Sequence, residues 1–83
     1  MDRKTVNRGR QLKFAREYRG YTQSSLCKEI KGLSQSNLSK YEKGFEGMIK
    51  DDKIAEIMEY LNFPLAFLDV IMQPLYTSDG IIN

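Results

Sequence analysis

The residues of this chain whose types and spacing could do chemistry gather in one short stretch. Gln35-Ser36-Asn37 is followed by Ser39, Lys40 and Lys43, with Ser34 just before. These are neutral amides and hydroxyls flanked by ammonium groups. Short donor-acceptor side chains of this kind match the edges of base pairs in a DNA major groove. Lysines beside them suit the phosphates on either side. Ser34 has a simpler task, because its place before an apolar-periodic stretch is that of a helix cap.

What the chain lacks narrows the chemistry further. Its 83 residues include no histidine, so the usual general base and the usual metal ligand are both missing. One cysteine, Cys27, and scattered carboxylates do not make a zinc site. No enzyme activity, metal, cofactor or small-molecule ligand is expected. A lone cysteine cannot form an internal disulfide, which agrees with a reducing compartment. The start, Met1-Asp2-Arg3-Lys4, is followed by no apolar signal core. No apolar run is long enough to span a bilayer. The expectation is a cytoplasmic, nucleoid-associated protein without a membrane partner.

Positioning the polar stretch falls to short helices with clear punctuation. Leu12, Phe14, Ala15 and Tyr18 give helical spacing over residues 6–19, and Gly20 stops that helix. Thr22 caps a second helix with the stripe Leu26, Cys27 and Ile30, ended by Gly32. Ser34 caps a third, carrying Leu38 and Tyr41, which Gly44 ends. Asp51 or Asp52 caps a fourth, where Ile54, Ile57, Met58 and Leu61 recur at helical spacing and Asn62 closes. Pro64 opens a fifth with Leu65, Phe67, Leu68 and Ile71, which Pro74 ends. The pattern is all-α. Residues 1–71 read as the domain and 72–83 as a tail or linker.

Charge is unevenly spread along the chain. Residues 1–19 hold seven Lys/Arg and two acids, whereas residues 51–83 hold one Lys and six acids. Either the basic front meets a polyanion or these are solvated helix faces, and charge alone does not choose.

The ordered set Gly20-Tyr21-Thr22-Gln23, Leu26-Cys27, Gly32-Leu33-Ser34 and Leu38-Ser39-Lys40-Tyr41-Glu42-Lys43-Gly44 resembles the Cro/repressor-type helix-turn-helix family, also called the xenobiotic-response-element type. The likeness extends upstream through Gly9, Leu12, Ala15, Arg16 and Glu17, and downstream through Asn62-Phe63-Pro64, over residues 6–70. It implies a five-helix, lambda-repressor-like DNA-binding domain with its helix-turn-helix core at about residues 22–43. By position it makes Gln35 the leading base reader, with Ser36 and Ser39 as further groove contacts. Asn37 points near the groove in some relatives and away in others. Thr22 and Gln23 would meet phosphate, with Gln23 also buttressing Gln35, and Lys40 and Lys43 would face the backbone. Arg16 and Glu42 fall on positions that pair in relatives; a solvated Arg16 on phosphate is the competing role. Cys27 falls where a small packed residue is usual, which implies a buried, inert thiol.

One departure stands out. The interval from Thr22 to Ser34 is one residue longer than the usual spacing, so either the second helix is longer or the turn is looser. The loop 45–50 also lacks the customary proline. The run Leu61-Asn62-Phe63-Pro64-Leu65-Ala66-Phe67-Leu68 resembles a subgroup in which a metallopeptidase-like domain follows, a domain this histidine-free chain does not contain. The expected function is a bacterial transcriptional regulator, a repressor that binds a double-stranded DNA operator as a homodimer. The candidate dimer seam is Phe67, Leu68, Val70, Ile71, Met72, Leu75 and Tyr76. The alternative is a protein-interaction or antitoxin-like module on the same fold.

Overall fold

Four α-helices and one 3₁₀ turn follow each other in the order α1 (Arg3–Tyr18), α2 (Gln23–Glu29), α3 (Gln35–Glu42), α4 (Asp51–Leu61) and the turn Leu65–Asp69. The structure is a computed structural model that describes residues 3–70. Among the described residues there is no strand, and no helix is long and apolar enough to cross a membrane.

The stops and starts follow from local chemistry. Thr22 Oγ1 accepts the Ser25 amide at 3.0 Å, while Ser25 Oγ accepts the Thr22 amide at 2.9 Å. That reciprocal capping box satisfies two of the free amides at the start of α2. Ser34 Oγ accepts the Asn37 amide at 3.1 Å and opens α3. Helix α1 closes with the amides of Gly20 and Tyr21 donating to the carbonyls of Glu17 and Arg16, the paired bonds of a Schellman end. Helix α3 closes in the same way through Gly44 and Phe45. Asn62 ends α4 in the left-handed region at φ 61°.

The core is assembled from one face of every element: Leu12 and Ala15 of α1, Leu26 of α2, Leu38 and Tyr41 of α3, Ile54, Ile57, Met58 and Leu61 of α4, and Leu68 of the 3₁₀ turn. Helix α1 crosses the end of α3 at the closest range the backbone permits. A Cβ added at Gly9 would overlap the Tyr41 carbonyl oxygen and lie 3.0 Å from that of Glu42.

Several sequence expectations need correction. Helix α1 begins at Arg3 rather than residue 6. Lys50, not Asp51 or Asp52, occupies the cap position of α4, with no side-chain cap bond. The two aspartates sit in the first turn, where their charge complements the helix dipole. The extra residue between Thr22 and Ser34 lies in the turn: α2 stops at Glu29, Ile30 is already extended, and Gly32 takes φ 83°.

The fifth helix is a single 3₁₀ turn that stops before Val70. Its carbonyls are claimed from outside. Gln11 Nε2 donates to Phe67 O at 3.1 Å, and Asn7 Nδ2 donates to Leu68 O at 3.2 Å and Val70 O at 3.0 Å. Leu68 is only 1% exposed and so is not free for the dimer seam, whereas Phe67 is half-buried against the core and Val70 is exposed. Ile71, Met72, Pro74, Leu75, Tyr76 and the tail lie outside the described residues.

Candidate nucleic-acid interface

Helix α3 divides its eight residues sharply between two faces. Leu38, Tyr41 and Glu42 are buried. Gln35, Ser36, Asn37, Lys40 and Lys43 are exposed, and Ser39 is half-buried at the border. Ser36, Lys40 and Lys43 recur at i, i+4, i+7, so hydroxyl and cations form one stripe. The result is an outward edge of amide, hydroxyl and ammonium groups on a helix whose other side is fixed in the core. Such an edge can hydrogen-bond base edges and meet phosphate at the same time.

The fixing is done partly by charge. Arg16 Nε and Nη2 donate to Glu42 Oε2 and Oε1 at 2.7 and 3.0 Å, and Arg16 Nη1 donates to the Tyr21 carbonyl at 2.7 Å. Both side chains are nearly inaccessible, at 6% and 3% exposure. The forked geometry satisfies both carboxylate oxygens, which a buried ion pair requires. The hydrogen bond to Glu42 raises the Arg16 guanidinium above its ordinary value, against the burial that lowers it. Arg16 is thereby committed to the fold and is not a solvated phosphate ligand.

The amide of Gln23, expected to buttress Gln35, donates instead to Glu42 Oε1 at 3.0 Å. One carboxylate thus ties together α1, the start of α2 and the end of α3. Thr22 is exposed, with its hydroxyl engaged in the capping box. Cys27 is half-buried rather than fully enclosed. Burial, aided by the charge of Glu42 and opposed by Arg16, pushes its thiol up, which keeps it protonated and weakly nucleophilic.

Three arginines of the basic front serve the fold, while Arg3, Lys4, Arg10 and Lys13 are exposed. Arg8 pairs with Asp69 at 2.8 Å, and Arg19 donates to the Leu61 and Asn62 carbonyls at 2.7 and 3.2 Å while lying over the rings of Tyr18 and Phe63. Sequence reasoning missed these partners, and it also missed Lys53, whose ammonium donates to the Lys31 carbonyl at 2.7 Å. The available signal was its standing as the one lysine in an acidic third of the chain.

A helix-turn-helix family model matches residues 12–68, well over half the chain, and takes in α2, the turn and α3 whole. No curated protein and no solved structure matches the chain. By that match, and with this arrangement of helices, the chain belongs to the helix-turn-helix family of DNA-binding transcription regulators.

Proposed function

We propose that the protein is a repressor that binds a specific operator in double-stranded DNA as a homodimer. Gln35, Ser36, Asn37 and Ser39 read base edges in the major groove. Thr22, Gln23, Lys40 and Lys43 hold the flanking phosphates. The observation that carries this is the two-faced α3: its first turn presents Gln35, Ser36 and Asn37 to solvent while Leu38, Tyr41 and Glu42 fix it from behind. Gln23 keeps a second amide hydrogen for a phosphate beyond the one it gives Glu42. One helix reads only a few base pairs, so two copies with recognition helices about 34–36 Å apart would supply useful affinity.

Selection of duplexes from a randomised pool, sequenced after several rounds, tests this reading. The expected product is a two-fold symmetric motif bound by two chains. An unenriched pool, with binding that depends only on salt, would overturn it.

A protein-interaction or antitoxin-like role has one observation in its favour. Tyr18, 67% exposed, and Phe14 stack on the surface beside Phe63 and Phe67. That role predicts an unenriched pool together with a protein partner that protects this aromatic face.

A further inference from the structure

Helix α3 is held by different means at its two ends. Its C-terminal end has the buried Arg16–Glu42 pair and the close approach of Gly9. Its N-terminal end, which carries Gln35, Ser36 and Asn37, follows a turn that is one residue longer than the family spacing leads one to expect. That turn is Ile30–Ser34. Ile30 and Leu33 anchor it in the core, and the Leu33 amide donates to the Ile30 carbonyl at 3.2 Å. Gly32, at φ 83°, sits at its apex, in a conformation other residues rarely adopt.

Lys53, on the first turns of α4, reaches across to this turn. Its ammonium donates to Lys31 O at 2.7 Å and to Glu56 Oε1 at 2.9 Å. A Cβ added at Gly32 would lie 3.8 Å from Lys53 Nζ and 4.0 Å from Cε, so the lysine lies over the apex as well as bonding beside it. Its side chain is 28% exposed, well withdrawn from solvent for a lysine. Glu56, one helical turn along α4, holds the ammonium in place.

We infer that Lys53 is a positioning residue for sequence recognition: it braces the lengthened turn and thereby sets the pose of Gln35, Ser36 and Asn37. It touches no DNA in this role. A charge-assisted bond to a carbonyl is stronger than a neutral one, and it acts at the end of α3 that the buried ion pair does not reach. Small misplacements of a reading group cost disproportionately, because bidentate contacts to bases tolerate little tilt. A braced turn therefore affects the ratio of specific to non-specific binding, whereas phosphate-driven affinity is left alone. This inference rests on α3 being the reading helix.

The test uses the full chain and three variants: Lys53→Met, which keeps the stem and removes the donor; Lys53→Arg, which restores a donor; and Glu56→Gln, which loosens the hold on the ammonium. Two duplexes serve as probes, the one enriched from a randomised pool by the wild-type chain and a scrambled version of it. Lys53→Met is expected to lower the ratio of the two affinities by about tenfold, with the scrambled-duplex affinity and its salt slope unchanged. Lys53→Arg should recover most of the ratio, and Glu56→Gln should fall between. Equal losses on both duplexes with a shallower salt slope would overturn the proposal by making Lys53 a phosphate contact. An unchanged ratio would also overturn it. If the pool yields no enriched duplex, the operator-binding reading fails separately. Amide exchange on the free chain then still decides the brace: Lys53→Met should speed exchange at Leu33 while the urea midpoint holds, and unaltered exchange at Leu33 would sink it.

Discussion

Three arginines of the basic front and the two lysines of α3 and its cap look alike in the sequence and do different work. Arg8 and Arg16 of α1, and Arg19 just past its end, are engaged by Asp69, Glu42 and the carbonyls at the end of α4, whereas Arg3, Lys4, Arg10 and Lys13 of α1 are exposed. Lys40 and Lys43 are exposed, on the same stripe as Ser36. The difference lies in what faces each helix. Helix α1 is covered on two sides, by α3 and by the 3₁₀ turn, so the polar side chains on those sides meet carbonyls and carboxylates that need partners. Among the described residues, nothing packs over the outer edge of α3. A count of basic residues therefore overstates the surface offered to a polyanion, and the fork of an arginine serves closure better than the point charge of a lysine.

The largest effect should come from the buried member of the first group. Glu42→Ala strands the Arg16 guanidinium and releases Gln23, at a cost of about 3–5 kcal/mol. Urea melts of Glu42→Ala, Arg16→Ala and the double variant would measure the coupling. Additive losses would show that the pair contributes nothing as a pair. Next comes Gly9→Ala, which drives a methyl group into the Tyr41 and Glu42 carbonyls. Overpacking at about 1–3 kcal/mol outweighs the roughly 1 kcal/mol that alanine gains in a helix. A rise in the denaturation midpoint would mean that α1 and α3 separate without penalty.

On the outer edge the effects shift from stability to binding. Gln35→Ala is expected to reduce discrimination between specific and scrambled duplexes by about 1–3 kcal/mol while leaving the melt unchanged. An unaltered specificity ratio in competition binding would remove Gln35 from the reading set. Lys40→Ala and Lys43→Ala should weaken binding to all duplexes alike. Each should reduce the slope of log K against log salt by about 1. If the slopes hold, these two lysines are solvated surface, and the contrast with α1 disappears.

The helices that place α3 were legible because their signals are local. Thr22 and Ser34 stand immediately before the stretches they cap, and Gly20, Gly44 and Asn62 within two residues after the helices they end. The apolar spacing of Ile54, Ile57, Met58 and Leu61 identified the buried face of α4. What stayed hidden was the choice of distant partners. Asn7 and Gln11, four residues apart on one helix face, form a polar row that looks solvent-directed until the 3₁₀ turn is laid against it. The same row holds the carbonyls at the end of the 3₁₀ turn. Gln23 has a partner that the family likeness does not name, the Glu42 carboxylate. The resemblance implies Gln35 and a phosphate as its partners, and no local signal points to a carboxylate nineteen residues away.

The smallest expected effect belongs to the exposed member of the first group, the Arg8–Asp69 pair. Arg8 Nε and Nη2 donate to Asp69 Oδ1 and Oδ2 at 2.8 and 3.0 Å, with the side chains 34% and 47% exposed. Water screens such a pair, so its coupling should be about 0.2–1 kcal/mol even with a forked geometry. Asn7 and Gln11 hold the 3₁₀ turn in parallel, so losing the pair should not undock it. The hydrogen bond from Arg8 lowers the Asp69 carboxyl below its ordinary value of 3.8. A carboxyl lowered by folding contributes stability above its unfolded value and loses it as acid protonates the folded form. The coupling measured from Arg8→Ala, Asp69→Ala and the double variant should therefore be constant near neutrality and vanish on acidification below the ordinary carboxyl range. Added salt at neutral pH should also shrink it. A coupling that survives both treatments would place the pair in a drier site than its exposure allows, and Arg8 would then belong with Arg16 rather than opposite it.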